Sequence, residues 1–241
     1  VDIGPGGELS GFTIRGSRGT YAGGMRINGD GSLIRANVFE GNLSDTVGAA
    51  IAGASASPRI LDNLFRNQQC TYPDQNSSGV VVFMEASSPL IANNVFEDNP
   101  CRALNILQSL LGSAAAPARV LHNTFVRNRV AIRAERRIEG SSNLIFANQI
   151  GLETFTNPIW RNNLVFGNGV NYPSGNKTGI DGNLSADPRL ANATGHDYHL
   201  LAGSPAIDAG DGSLASAATV DFDGDPRPVV GEGNGVARVG V

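Results

Sequence analysis

The chain reads as an all-β protein: a single-stranded right-handed parallel β-helix solenoid of about seven to eight coils with an irregular C-terminal cap. Three observations carry that expectation. The first is a spaced motif: an apolar residue, Asn three positions on, a large apolar residue two further, and a second Asn. With Asn37, Asn63, Asn94, Asn123, Asn143 and Asn163 as the reference, the residues three before are Ile34, Ile60, Ile91, Val120, Gly140 and Trp160. Two after it stand Phe39, Phe65, Phe96, Phe125, Ile145 and Val165, and five after it Asn42, Gln68, Asn99, Asn128, Asn148 and Asn168. Only Gly140 interrupts the apolar columns. The second observation is the period, since successive reference Asn residues lie 26, 31, 29, 20 and 20 positions apart. Weaker copies flank the series, Leu9, Phe12 and Ile14 before it and Ile180 with Asn183 after it.

The third observation is the composition of each unit. The segments are Val, Ile, Phe, Asn and Gly broken by turns, without the 3.6-residue periodicity that a helical solenoid needs. Asn tolerates the left-handed backbone that a sharp bend requires, and stacked Asn side chains can hydrogen-bond along a column. The Asn columns are therefore expected at corners and the Ile and Phe columns in the core. After the second Asn each coil resumes with a β-like run, such as Gly79-Val80-Val81-Val82 or Val130-Ala131-Ile132. The 20-residue coils reach this run at once, whereas the longer coils insert residues before it, the longest insertion being 69–78. A separate insertion, 109–116, lies at the opposite end of its strand. Length variation on a repetitive scaffold is where binding function tends to sit. That argument makes Tyr72 and Asp74, with Glu153, the candidate ligand-binding residues.

Composition narrows the function classes. A chain of 241 residues with 31 Gly, 10 Phe and a net charge of −4 fits one elongated, turn-rich domain. Mild acidity and the lack of a basic stripe or aromatic-rich basic motif argue against nucleic acid as a partner, and no apolar run approaches the ~18 to 20 residues that cross a membrane. A monomer is expected. The first residues already look like a coil, so upstream sequence, including a secretion signal, is expected to precede them.

Cys70 and Cys101 both fall seven residues after their reference Asn, in consecutive repeats. Adjacent coils of a parallel sheet lie about 4.8 Å apart, which suits the Cα separation of a disulfide. A staple between neighbouring coils is the favoured reading, with two reduced buried thiols as the alternative. The disulfide would imply an oxidising compartment.

From about residue 187 the repeat decays, which divides the chain into coils over 1–186 and a capping, anchor-type segment over 187–241 of the same domain. In that segment Leu190, Leu200, Leu201, Ile207 and Val220 are expected to cover the open end of the solenoid. The stretches Asp187-Pro188-Arg189-Leu190, Asp197-Tyr198-His199-Leu200, 203–210 (Gly-Ser-Pro-Ala-Ile-Asp-Ala-Gly) and 221–228 (Asp-Phe-Asp-Gly-Asp-Pro-Arg-Pro) resemble the C-terminal signature of secreted bacterial choice-of-anchor β-helix proteins. Those proteins are similar in fold to the pectate-lyase superfamily. The resemblance implies a secreted or surface-attached protein and carries no established activity. That family usually continues to an Asp-Ile-Gly-Ala-Tyr-Glu-like strand, whereas this sequence runs to Val239-Gly240-Val241.

Two functions follow. One is an extracellular module that binds a polysaccharide or cell-surface glycan, or acts as a surface scaffold. The other is a lyase that cleaves an acidic polysaccharide by β-elimination. A lyase must neutralise a uronate with Ca2+ or Arg and remove the adjacent proton with a base. Arg133, Glu135 and Arg137, with Glu85, are the candidate catalytic cluster; a solvated, salt-bridged surface is the alternative. The Asn-Thr-Asp, Asp-Asp, Gly-His-Gly and Arg-Ile-Lys motifs of pectinolytic hydrolases of similar fold are absent, which disfavours a hydrolase. Asp221, Asp223 and Asp225 resemble the start of a calcium loop, making Ca2+ the candidate cofactor, but Pro226 replaces the Gly such a loop needs at its sixth position. A plain Asp-Gly turn is the competing account. His122 is expected to be an exposed corner residue.

Overall fold

In the computed structural model, which describes residues 1–71, 79–107, 116–135, 138–155, 158–213 and 219–226, each coil is folded from three short strands. Equivalent strands pair in parallel with the coils before and after, giving three seven-stranded sheets among the described residues. The first sheet comprises Asp2–Ile3, Met25–Ile27, Gly48–Ala54, Val80–Glu85, Arg102–Leu107, Val130–Ala134 and Ile150–Thr154. The second runs from Glu8–Ser10 to Ile159–Arg161, and the third from Thr13–Arg15 to Leu164–Phe166. The protein is thus a parallel β-helix. A partial eighth coil follows, in which Val170 bridges Ile150 and Leu184 bridges Leu164.

In-register parallel pairing puts identical motif positions on top of one another. Phe39, Phe65, Phe96 and Phe125 are fully buried, with successive ring centroids 5.0, 4.6 and 4.7 Å apart and near-parallel planes. Offset-stacked rings of this kind add packing energy beyond their buried area. The companion column pairs Ile34, Ile60, Ile91, Val120, Gly140 and Trp160 in register. Gly140 is not a defect in it. A Cβ at that position would fall inside the indole of Trp160, which leans across the space its neighbour leaves.

Both Asn columns form ladders. In the first, the Nδ2 of Asn37, Asn63, Asn94, Asn123, Asn143 and Asn163 donates to the Oδ1 of the next Asn at 2.8–3.1 Å, ending on Asn183. Each Oδ1 also accepts the backbone N–H of the Asn one coil back, and the Nδ2 groups donate as well to carbonyls such as Ile34 O. A buried amide needs all of these partners, because leaving one unmade costs about 1 to 3 kcal/mol. The left-handed residue at this corner is not the Asn but its predecessor: Ala36, Asp62, Asn93, His122, Ser142 and Asn162 have φ of 52–58°. The Asn is retained for its amide, and the bend is left to whatever precedes it. His122 sits at that bend as expected but is buried, not exposed.

Cys70 and Cys101 are disulfide-bonded with their Cα atoms 5.9 Å apart, joining neighbouring coils. The C-terminal segment departs from the expected end cover. Leu190 and Leu200 pair in a short hairpin that packs with Ala206 and Ala209 on Leu144, Leu164, Phe146 and Phe166, on the outer side of the third sheet. Tyr198 and Phe222 pack further back, on Leu64, Val95 and Val126. Leu201 stays half-exposed, and Val220 is about one-third exposed. The physical reason lies in the sheet itself, whose outward positions turn from Glu40, Arg66 and Glu97 into Val126, Phe146 and Phe166 along one register column. An apolar outer face needs a cover, and the descending chain supplies it.

Candidate functional site

The sequence-derived cluster is partly assembled. Along the outer face of the first sheet, Arg26, Ala52, Phe83, Asn105, Arg133 and Glu153 stand in one register column. The Arg133 guanidinium donates through Nη1 to Glu153 Oε2 and through Nη2 to Glu135 Oε1, both at 3.1 Å. It lies over the ring of Phe155, 4.3 Å from the centroid, and the ring itself is 53% exposed. Arg133 is buried, Glu135 and Glu153 half-buried. Glu85 is exposed two strands away, level with Leu107, and is not brought into the cluster. Its charge acts on Tyr21, whose phenol is pushed up first by burial and then by Glu85. Arg137, Tyr72 and Asp74 lie outside the described residues.

Chemically the cluster is a polar platform edged by an aromatic ring. An arginine committed to two carboxylates has its charge balanced, so it is poorly placed either to neutralise a substrate carboxylate or to act as a base.

A second cluster was not foreseen. Glu97, on the outer side of the third sheet, is 2% exposed and accepts at Oε2 from Tyr198 OH at 2.5 Å, with His196 Nδ1 at 2.9 Å. Arg127 grips Asp98 through Nε at 2.6 Å and Nη2 at 2.9 Å, and Nη2 also reaches Tyr198 OH at 3.1 Å. The Tyr198 phenol is pushed well above its usual range, first by burial and then by its bond to Glu97. Glu97, Asp98 and His196 could each turn one ligand atom to a cation, these atoms lying within 4.8 Å of one another. Arg127 already occupies both Asp98 oxygens, and a guanidinium at that range opposes a second positive charge. The arrangement is better suited to clamping the hairpin to the sheet. Beside it opens a cleft of about 360 Å3 walled by Leu64, Val95, His199 and Phe222.

The three candidate metal residues form a turn. Asp221 Oδ1 accepts the backbone N–H groups of Asp223 and Asp225 at 3.0 and 2.8 Å, which commits that oxygen as a tight Asp-Gly turn would. Asp223 Oδ2 faces His199 Nε2 at 3.2 Å, and Asp197 Oδ1 faces His199 Nδ1 at 2.6 Å. His199 is drawn up by its bond to Asp197, and Asp197 is drawn down by the same bond. The signal for the whole C-terminal contact was present in Val126, Phe146 and Phe166, apolar residues at positions that strand alternation should turn to solvent.

Stacked parallel sheets, two amide ladders and a disulfide between coils define a parallel β-helix protein. Residues 54–221 match the family model described as disaggregatase related, and the chain belongs to that family. No curated protein matches it. Among the described residues no helix is long and apolar enough to cross a membrane.

Proposed function

We propose that this protein is an extracellular or surface-attached β-helix module that binds carbohydrate along the outer face of its first sheet. The observation that carries the reading is the Arg133 platform, with an exposed aromatic ring, a guanidinium and two carboxylates on one face. Sugars offer apolar C–H faces and rings of hydroxyls, and such a surface meets both. The membership in a disaggregatase-related family and the disulfide support an oxidising, extracellular setting. The resemblance of the C-terminal signature to choice-of-anchor proteins supports surface attachment, and residues 187–241 serve as the flanking segment of the same domain. The module acts as a monomer.

Affinity electrophoresis through gels containing neutral and acidic polysaccharides tests the proposal. The protein is expected to be retarded by at least one neutral polysaccharide, and Phe155→Ala to lose that retardation with an unchanged unfolding midpoint. Free migration in every neutral gel, or a Phe155→Ala variant retarded there as before, would overturn it. The same incubations should yield no unsaturated product with or without Ca2+. Its appearance would establish the lyase instead.

A further inference from the structure

Folding creates a basic face that the sequence does not display. On the outer side of the second sheet, Leu33, Arg59, Leu90, Arg119, Glu139 and Ile159 form one register column, and Arg35, Leu61, Ala92, Leu121, Ser141 and Arg161 the column two residues along. Four arginines thus share this face although they are far apart in sequence. Arg35, Arg59 and Arg161 are exposed and Arg119 is half-buried. Among the described residues none of the four has a carboxylate partner, unlike Arg18, Arg66, Arg127 and Arg133; Arg15, Arg26 and Arg189 also lack one but do not share a face with them. Among the described residues the face opposes the four with Glu8, Glu139 and, at its rim, Asp211, so it stays net positive on a chain whose net charge is −4.

Their spacing is set by the solenoid. Arg59 and Arg119 stand two coils apart in one column, and Arg119 and Arg161 two coils apart and two residues along. With about 4.8 Å per coil and 3.3 Å per residue, neighbouring arginine Cα atoms are about 8 to 12 Å apart. Arg119 and Arg161 also line one shallow niche of about 100 Å3 with Ser141, Ser213 and the carboxylates of Glu139 and Asp211. Unpaired guanidiniums on a rigid face suit a polymer whose anionic groups recur at the same interval. That interval is about the length of a disaccharide. Duplex DNA carries a charge every ~1.7 Å of its axis, far denser than this row can match.

We infer that the outer face of the second sheet is a docking surface for a linear acidic polysaccharide bearing one anionic group per disaccharide. The inference rests on the reading that the module binds carbohydrate, and it adds a face, a charge and a repeat length. Glu139, between Arg119 and Arg161, limits the affinity of this face.

Binding is measured at several salt concentrations with three probes: an alternating glucuronate–N-acetylglucosamine polymer, polygalacturonate with a carboxylate on every sugar, and oligo-dT. The alternating polymer should bind most tightly and weaken as salt rises. The triple variant R59Q/R119Q/R161Q should lose at least about tenfold of that affinity, as expected for removing charges that steer a polyanion. Glu139→Gln should strengthen binding, and the charge-preserving R59K/R119K/R161K should keep most of it, separating charge from any effect on folding. Retention by neutral gels but not by the alternating polymer would overturn this inference while leaving the carbohydrate reading intact; no binding to any glycan would sink both. Equal binding of oligo-dT or polygalacturonate, or a triple glutamine variant that binds as before, would also overturn it.

Discussion

Trp160 occupies the space that a side chain at Gly140 would fill, one coil below it in the same column of the core. The two residues therefore form a single packing unit. Gly140→Val should destabilise the fold by about 1 to 3 kcal/mol through overpacking, read as a lower urea midpoint. Combining it with Trp160→Val restores the ordinary aliphatic column, and the double variant should recover part of the loss. Additive losses would show that the sites do not share this volume.

The bond between Cys70 and Cys101 predicts no free thiol when denatured, unreduced protein is titrated. Reduction should lower stability by less than the ~2 to 4 kcal/mol common for a disulfide, because the ladders already hold the two coils together. An Asn99→Ala variant, which removes the Oδ1 that accepts from Gln68 N and the Nδ2 that donates to Phe65 O across the same two coils, should make the protein more sensitive to reduction. Equal sensitivity in the two proteins would deny the ladder that role.

Much of the fold was legible because a parallel β-helix repeats its constraints. Each coil needs a buried amide at each of two corners and a large apolar residue between them, so one chemistry recurs at fixed spacing in the Asn and Phe columns. Corner residues were less legible. The left-handed position accepts Ala36, Asp62 or His122 because the ladder beside it supplies the binding energy. The Glu97, Arg127, His196 and Tyr198 cluster was not legible as a site, since its members meet only when the C-terminal hairpin returns about 100 residues to an earlier coil. Of the candidate catalytic residues, Arg133 and Glu135 meet because they share a strand end, while Glu85 lies level with Leu107 on another coil.

His199 links the hairpin to the Asp221–Asp225 turn and titrates against Asp197 and Asp223. Its folded pKa is raised, chiefly by Asp197, so its contribution is fully present below the unfolded value and fades as pH rises through the folded one. Asp197 is lowered, so its contribution is present above its unfolded pKa and fades as pH falls through its folded one. Amide protection of the hairpin should accordingly peak between these limits and decline on both sides. Asp197→Asn should lower the His199 midpoint seen by proton NMR. An unmoved midpoint would mean that the pair does not form in solution.

Removing residues 187–241 should leave the coils paired while baring the outer face of the third sheet. Leu144 and Leu164 are 1% and 0% exposed with the segment in place, and Phe146, Phe166 and Val126 share their cover. A contiguous apolar face on a regular sheet recruits dye and other chains, so the truncated protein should bind a hydrophobic fluorophore and aggregate. Deletion also strips Glu97 of Tyr198 and His196, but that carboxylate then meets water, so its loss of partners is a lesser term. The two causes can be separated. Phe146→Thr and Phe166→Thr in the truncated protein should restore solubility if the bared face is responsible, whereas Glu97→Gln should not. A truncated protein that stays monomeric, dye-free and as thermally stable as the full chain would show that the segment's packing on this face is not what keeps the solenoid soluble.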